Sequence, residues 1–331
     1  MKIVVIGDGA WSTTLAILLA KKDFDVSLWT LFPEHAGELR RTRENVKFLP
    51  GAALPDALEI ISVDDGNAGP FDLAVMTVPT QYVRTWLEAA RECVGKLPAV
   101  VSGTKGIENE TLKRPTEIVA EMLAPESIAV LSGPSHAEEV SRGLPTTVVA
   151  ASDDASLAKE IQQTFSTQRF RVYTSTDALG VELAGALKNV IAVAAGICDG
   201  LGFGDNSKAA LLTRGLVEMA RLGEARGAQR VTFSGLAGMG DLITTCFSPF
   251  GRNLAVGRAL GAGEQLEDVL ERMAPVVAEG VPTTRSVRQL AGRLDVEMPI
   301  TEEVHRILFD GKSPLDGVSD LMQRELKPEQ D

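Results

Sequence analysis

Short apolar runs and amphipathic stretches alternate through the first half of the chain. Ile3–Ile6 is an apolar, β-branched run, and Trp11–Lys22 follows it with helical spacing. Asp25–Trp29 alternates like a strand. Leu58–Val63, Phe71–Val78, Ala99–Ser102, Ile128–Leu131, Thr146–Ala151 and Phe170–Tyr173 continue the series. Helix-like segments lie between most of them, including Tyr82–Val94 and Pro115–Leu123. Strands alternating with helical crossovers predict an α/β fold with a doubly wound, mostly parallel sheet covered on both faces.

After about Ser175 the period changes. Leu179–Gly200 and Ser207–Gly227 read as long helices, and 252–261, 264–273, 283–294, 300–310 and 314–325 as further ones, with no strand pattern among them. Thr174-Ser175-Thr176-Asp177 resembles a helix cap. The expected division is therefore a sheet domain over 1–175 and an all-α domain over 176–331. The polar end, Lys327 to Asp331, is expected to fray.

The 331 residues fit roughly two domains of ~150 each. With 44% apolar and 24% charged residues the chain has globular composition, which excludes disorder for most of its length. The charge sum, 33 − 45 = −12, argues against a nucleic-acid partner or an anionic membrane surface. Cys93, Cys198 and Cys246 are too few and too scattered for a disulfide framework, which suits a reducing cytoplasm. His35, His136 and His305 make no metal-ligand spacing, so no metal is expected. The first apolar run is too short for a signal-peptide core, and no run approaches the ~18 apolar residues of a membrane span.

Five segments carry candidate chemistry. Ile6-Gly7-Asp8-Gly9-Ala10-Trp11-Ser12 is a strand, a Gly-x-Gly turn and a helix start. Gly7 permits the tight turn, Gly9 lets a pyrophosphate approach the backbone, and the helix N-terminus offers free N–H groups. Lys188 is the one charged residue in Leu183–Cys198, on an apolar face with Val181, Ala184, Ile191 and Ala195. Desolvation there lowers its pKa and suits it to proton transfer. A second glycine cluster, Gly235–Gly240, leads to Asp241, and Gly251-Arg252-Asn253 offers a planar guanidinium fork for phosphate. Thr104-Lys105-Gly106 follows an expected strand, at the end where such sheets bind ligands. Gly133-Pro134-Ser135-His136-Ala137 lacks the last glycine of a hydrolase nucleophile elbow.

Together with NVKFLPG at 45–51, VPTQ at 78–81, LSGPSHAEEVSRGLPT at 131–146 and AEGVPTT at 278–284, these segments closely resemble the bacterial NAD(P)-dependent glycerol-3-phosphate dehydrogenase family, in order along nearly the whole chain. The resemblance implies a Rossmann-type dinucleotide domain and a helical substrate domain in a 6-phosphogluconate-dehydrogenase-like arrangement. It implies reversible reduction of dihydroxyacetone phosphate to sn-glycerol 3-phosphate, a glycerophospholipid precursor, with NAD or NADP as cofactor. Lys188 is then the proton donor and acceptor, Lys105 touches substrate and cofactor, and Asp241 orients Lys188 or the substrate hydroxyl. Arg252 and Asn253 hold the phosphate, and Gly133, Ser135, Asn189 and Gly251 complete the substrate contacts. Gly7, Gly9, Ala10, Trp11, Lys105, Ala137, Arg252, Val277 and Glu279 are the cofactor contacts.

Ser12 stands where the family usually has glycine, Gly251 where it often has serine, and His136 where it usually has an aromatic. At the ribose-reading position Thr30-Leu31-Phe32 supplies neither an acid nor a cation, so weak coenzyme discrimination is expected unless Arg40 or Arg41 folds back. A non-catalytic redox sensor and a related 3-hydroxy acid dehydrogenase are the alternatives. A homodimer is one option for the assembly, which the sequence leaves open.

Overall fold

The structure, a computed structural model, describes residues 1–329; the last two residues of the polar end lie outside the described residues. Eight strands form one sheet: β1 Lys2–Ile6, β2 Asp25–Thr30, β3 Glu59–Ser62, β4 Leu73–Met76, β5 Ala99–Ser102, β6 Ser127–Ser132, β7 Thr146–Ala151 and β8 Phe170–Ser175. Their spatial order is β3-β2-β1-β4-β5-β6-β7-β8, parallel throughout except where β6 meets β7. The helices of this part are α1 Ala10–Ala20, α2 Pro33–Thr42, α3 Val83–Val94, α4 Pro115–Leu123, α5 Ala137–Ser141 and α6 Ala155–Phe165.

Alternation along β1 sets the two faces. Ile3 and Val5 pack with Leu15 and Ala16 of α1, whereas Val4 and Ile6 pack with Trp86 and Leu87 of α3. A sheet buried on both faces explains the continuous Val/Ile runs. Chain order reverses at β1, where β2 lies on one side and β4 on the other. The crevice beyond the carboxyl ends at such a switch point is where open α/β sheets bind ligands.

After β8 the chain is helical: α7 Ala178–Gly200, α8 Asp205–Ala225, α9 Arg230–Phe233, α10 Asp241–Phe247, α11 Arg252–Gly261, α12 Leu266–Met273, α13 Gly280–Arg293, α14 Pro299–Phe309 and α15 Pro314–Met322. Asp177 caps α7, accepting from the Gly180 N–H at 2.9 Å. It also accepts from the Gln229 N–H and the Thr232 hydroxyl, which ties the start of α7 to α9.

α7 corrects one sequence expectation. Its most apolar 18-residue window has a mean hydropathy of 1.6, so by length and composition it could cross a membrane. That window is wholly buried inside the fold, so α7 is a core helix. Its packing against α11 requires glycine on both sides. A Cβ at Gly196 would lie 2.2 Å from the Leu254 carbonyl oxygen, and one at Gly257 would lie 2.1 Å from that of Val193. This close crossing brings the first turn of α11 beside Lys188.

The structure adds elements to those expected. The glycine cluster makes an ordered turn of π geometry over Leu236–Gly240 that runs directly into α10. The segments at 33–42 and 155–165, unassigned from sequence, are helices.

Candidate active site

Lys188 projects from the middle of α7 into the gap between the two parts of the chain. Its Nζ lies 2.8 Å from Asp241 Oδ1 and donates to the Thr245 hydroxyl at 2.5 Å. Lys105, beyond the carboxyl end of β5, donates to Asp241 Oδ2 at 2.6 Å and to the Gly133 carbonyl at 3.0 Å. One buried carboxylate therefore holds two ammonium groups, one from each side. Gly185 of α7 permits the approach, since a Cβ there would lie 2.8 Å from Ser132 Oγ and 3.4 Å from Lys105 Cγ.

Burial pushes the Lys188 ammonium down to about 8, against the opposing pull of Asp241 and with a further push from Lys105. Burial alone would raise the Asp241 carboxyl, but Lys105 and Lys188 outweigh it and hold the group below the usual carboxylate range. Burial and the charge of Lys188 lower His136. The His136 ring sits 6.0 Å from that of Phe250. Cys246, next to Thr245, is pushed up to about 12 by burial and is no nucleophile at neutral pH.

The structure brings most predicted residues together, with different duties for some. Asn189 donates to the Lys105 carbonyl at 3.1 Å and accepts from Asn253 at 2.9 Å. Asn253 in turn accepts from the Gly280 N–H at 2.9 Å. These side-chain amides thus brace the Lys105 turn to α7, α11 and α13. Arg252 is exposed at the first turn of α11, with no ion-pair partner among the described residues. Gly251 precedes it at the N-cap, where a Cβ would meet the Thr245 carbonyl at 2.8 Å. Ser135 bonds to the Gly133 carbonyl at 2.9 Å, and Ala137 begins α5, where its carbonyl accepts from Thr14 of α1. Glu279 accepts from the Thr80 N–H at 3.2 Å, and burial pushes its carboxyl up to about 7. Val277 lies two residues before it, partly buried.

The first turn meets the demands of a dinucleotide. Gly7 has φ +128°, and a Cβ there would lie 2.6 Å from Ser12 Oγ. Gly9 has open space where its Cβ would be, and no side chain caps α1. The N–H groups of that helix start are thus left for an anion. The indole N–H of Trp11 is buried without a partner, beside Gly103.

Sequence reasoning missed Thr245 and Asn45. Thr245 lies one helical turn after Asp241, a spacing that becomes visible once α10 is known to be a helix. Asn45 is fully buried and donates to the Asp8 carbonyl at 2.7 Å and to the Thr13 hydroxyl at 2.8 Å, which locks the glycine turn to α1.

A switch-point crevice with a glycine turn, facing a buried lysine–carboxylate cluster on a helical unit, defines a nicotinamide-dependent oxidoreductase. The profiles of the NAD-dependent glycerol-3-phosphate dehydrogenase N-terminus and C-terminus match residues 2–158 and 177–319. A glycerol-3-phosphate dehydrogenase [NAD(P)+] of Prosthecochloris aestuarii is 52% identical over 99% of this chain and 100% of its own length. One of Geobacillus thermodenitrificans is 50% identical over 99% of this chain and 96% of its own length. The crystal structure of glycerol-3-phosphate dehydrogenase from Coxiella burnetii superposes with TM-score 0.91 at 36% identity, covering 98% of this chain and 99% of that one. The chain belongs to the NAD-dependent glycerol-3-phosphate dehydrogenase family.

Proposed function

We propose that the chain reversibly reduces dihydroxyacetone phosphate to sn-glycerol 3-phosphate in the cytoplasm, with Lys188 as the proton donor. The observation that carries this is the Lys188–Asp241–Lys105 cluster, with Nζ···O distances of 2.8 and 2.6 Å. The bound nicotinamide dinucleotide supplies or accepts the hydride. Gly7, Gly9, Ala10 and Trp11 hold its pyrophosphate end, and Lys105, Ala137, Arg252, Val277 and Glu279 its remainder.

As charge builds on the carbonyl oxygen, the Lys188 ammonium gives up a proton to it. An ammonium pulled down to about 8 loses that proton more readily than an ordinary lysine. Asp241 and Thr245 fix the position of Nζ, and Asp241 keeps enough charged form present near neutral pH. Lys105, bonded to the same carboxylate, touches both the substrate and the cofactor. Arg252 grips the phosphate through its fork, aided by the partial positive charge at the start of α11. Asn253 adds its backbone N–H there, because its side chain is engaged in bracing. Gly133 and Ser135 form the facing wall. Phosphate binding away from the reacting carbon serves to orient the carbonyl. In this reading residues 1–175 hold most of the cofactor and 176–331 most of the substrate, with Lys105, Gly133 and Ser135 reaching the substrate from the first part and Arg252, Val277 and Glu279 the cofactor from the second.

The test is loss of reduced-coenzyme absorbance on adding dihydroxyacetone phosphate, with unphosphorylated dihydroxyacetone in parallel. The phosphorylated ketone should be strongly preferred. No phosphate-dependent oxidation with either coenzyme would overturn the reading.

A further inference from the structure

The carboxylate absent from the end of β2 is supplied by the glycine turn itself. Asp8 lies between Gly7 and Gly9, yet its side chain turns towards the end of β2. There its Oδ2 accepts from the Thr30 hydroxyl at 2.5 Å. Thr30 is fully buried, and its oxygen also accepts from the Phe32 N–H at 3.2 Å. The hydroxyl has one proton, and it goes to Asp8. On the main-chain side Asn45 grips the Asp8 carbonyl at 2.7 Å. The residue is thus held at both ends, with a relative exposure of 7%. No described residue hydrogen-bonds to Oδ1.

In dinucleotide folds an acid at the end of the second strand accepts hydrogen bonds from the adenosine ribose diol, and a cation there accommodates a 2′-phosphate. Position 30 belongs to that strand end and is already spent on Asp8. Of the nearby arginines, Arg40 is engaged elsewhere: it is paired with Asp65 at 2.5 Å and donates to the Ile60 carbonyl at 3.0 Å.

We propose that Asp8 reads the coenzyme ribose: its free Oδ1 accepts from the ribose diol of NADH and repels the 2′-phosphate of NADPH. The weak discrimination expected from residues 30–32 is thereby replaced by a preference for NADH. Thr30 is the positioning residue that aims the carboxylate. This inference rests on the dinucleotide reading of the turn.

The experiment is calorimetric titration of the full chain with NADH and with NADPH, without substrate, with far-UV circular dichroism as a check on folding. A charge-assisted pair gained on one side and like-charge repulsion on the other should favour NADH by about 30-fold or more. Asp8→Asn should cut that ratio at least ~10-fold, chiefly by tightening NADPH, because the charge and not the shape is removed. Asp8→Gly, which removes the side chain altogether, should do the same. Thr30→Val leaves the charge and unties it, so NADH should weaken several-fold with little gain for NADPH. An unchanged ratio in folded Asp8→Asn and Asp8→Gly overturns the assignment. A wild-type preference for NADPH overturns it too, and points to Arg41 or Lys47. If neither coenzyme binds, the dinucleotide reading falls with it.

Discussion

Replacing Lys188 with methionine removes the charge while keeping most of the length of the side chain. The ammonium lies at about 8 in the fold, against 10.5 for an ordinary lysine, with the pull of Asp241 already acting on it. At ~1.36 kcal/mol per pH unit that gap is roughly 3 kcal/mol of destabilisation at neutral pH, which sets the upper bound of what methionine relieves. Asp241 keeps Lys105 at 2.6 Å, so its charge is not stranded by the change. The variant should therefore be at least as stable as wild type. Turnover moves the other way: loss of the proton donor should lower kcat by about 10²–10⁴-fold.

The pH dependence separates these effects further. Above about 10.5 Lys188 is neutral in both folded and unfolded chains. Between about 10.5 and 8 the unfolded chain binds a proton that the folded chain does not, so stability falls as pH falls. Below about 8 the deficit is constant. The stability difference between wild type and Lys188→Met should therefore drift across that window and level off below it, by denaturant melts at several pH values. In the assay, ketone reduction should decline above about pH 8 as the donor form is lost, and alcohol oxidation should rise through the same region. Lys188→Arg should not restore turnover, since a guanidinium does not release its proton. A folded Lys188→Met enzyme turning over within 10-fold of wild type would refute the proton-donor role.

Asp241→Asn removes the attraction that holds the Lys188 ammonium up, so the decline in reduction should move below pH 8; a pH–rate profile at saturating coenzyme checks this. Arg252→Ala should raise KM for dihydroxyacetone phosphate and lower kcat/KM by about 2–5 kcal/mol with the fold intact, and Arg252→Lys should recover only part, in steady-state kinetics. Glu218, buried beneath the start of α14, accepts from the Ile300 and Thr301 N–H groups, and burial raises it to about 7. Folded protein thus binds a proton that the unfolded chain releases above its ordinary 4.5, so stability from this group should be full below that value and fall as pH rises to about 7. Glu218→Gln should abolish that slope in thermal melts. A double-mutant cycle on Ser12→Gly and Thr77→Ala should show coupling of about 0.5–1.5 kcal/mol, since each hydroxyl is the other's partner.

The sheet was legible because its strands are buried on both faces, which writes continuous β-branched runs into the chain. All eight strands fall where those runs lie, and Ala99–Ser102 and Thr146–Ala151 agree to the residue. α2 was not legible because only His35, Ala36 and Leu39 are buried, too few to mark a stripe. α6 was there to be read: Leu157, Ala158, Ile161 and Phe165 keep helical spacing behind the Asp154 cap. α10 went unassigned because a dense glycine run, Gly235–Gly240, stands before it, although that run forms a π turn over which helical hydrogen bonding carries on. The lysine proposed as proton donor, Lys188, was visible through its isolation in an apolar helix. Its partners were not, because Asp241 and Lys105 meet it only through tertiary folding, 53 and 83 residues away by the numbering.

The departures from the family's usual residues act together at the level of local packing. Ser12 places a hydroxyl where glycine would leave space between α1 and β1. That hydroxyl would be costly if buried alone, but Thr77 at the end of β4 meets it at 2.5 Å. The same oxygen crowds Gly7, so the first glycine here is required by its neighbour as well as by its φ of +128°. Gly251 follows similar logic: a side chain there would press on the Thr245 carbonyl, on the residue whose hydroxyl fixes Lys188. With no serine side chain there, the backbone N–H groups of α11 and the unpaired Arg252 are left for the proposed phosphate contact. Asp8 adds a carboxylate to a turn that must also accept a pyrophosphate. The turn tolerates it because Thr30 draws the charge away towards β2, where an acid favours binding to an unphosphorylated ribose.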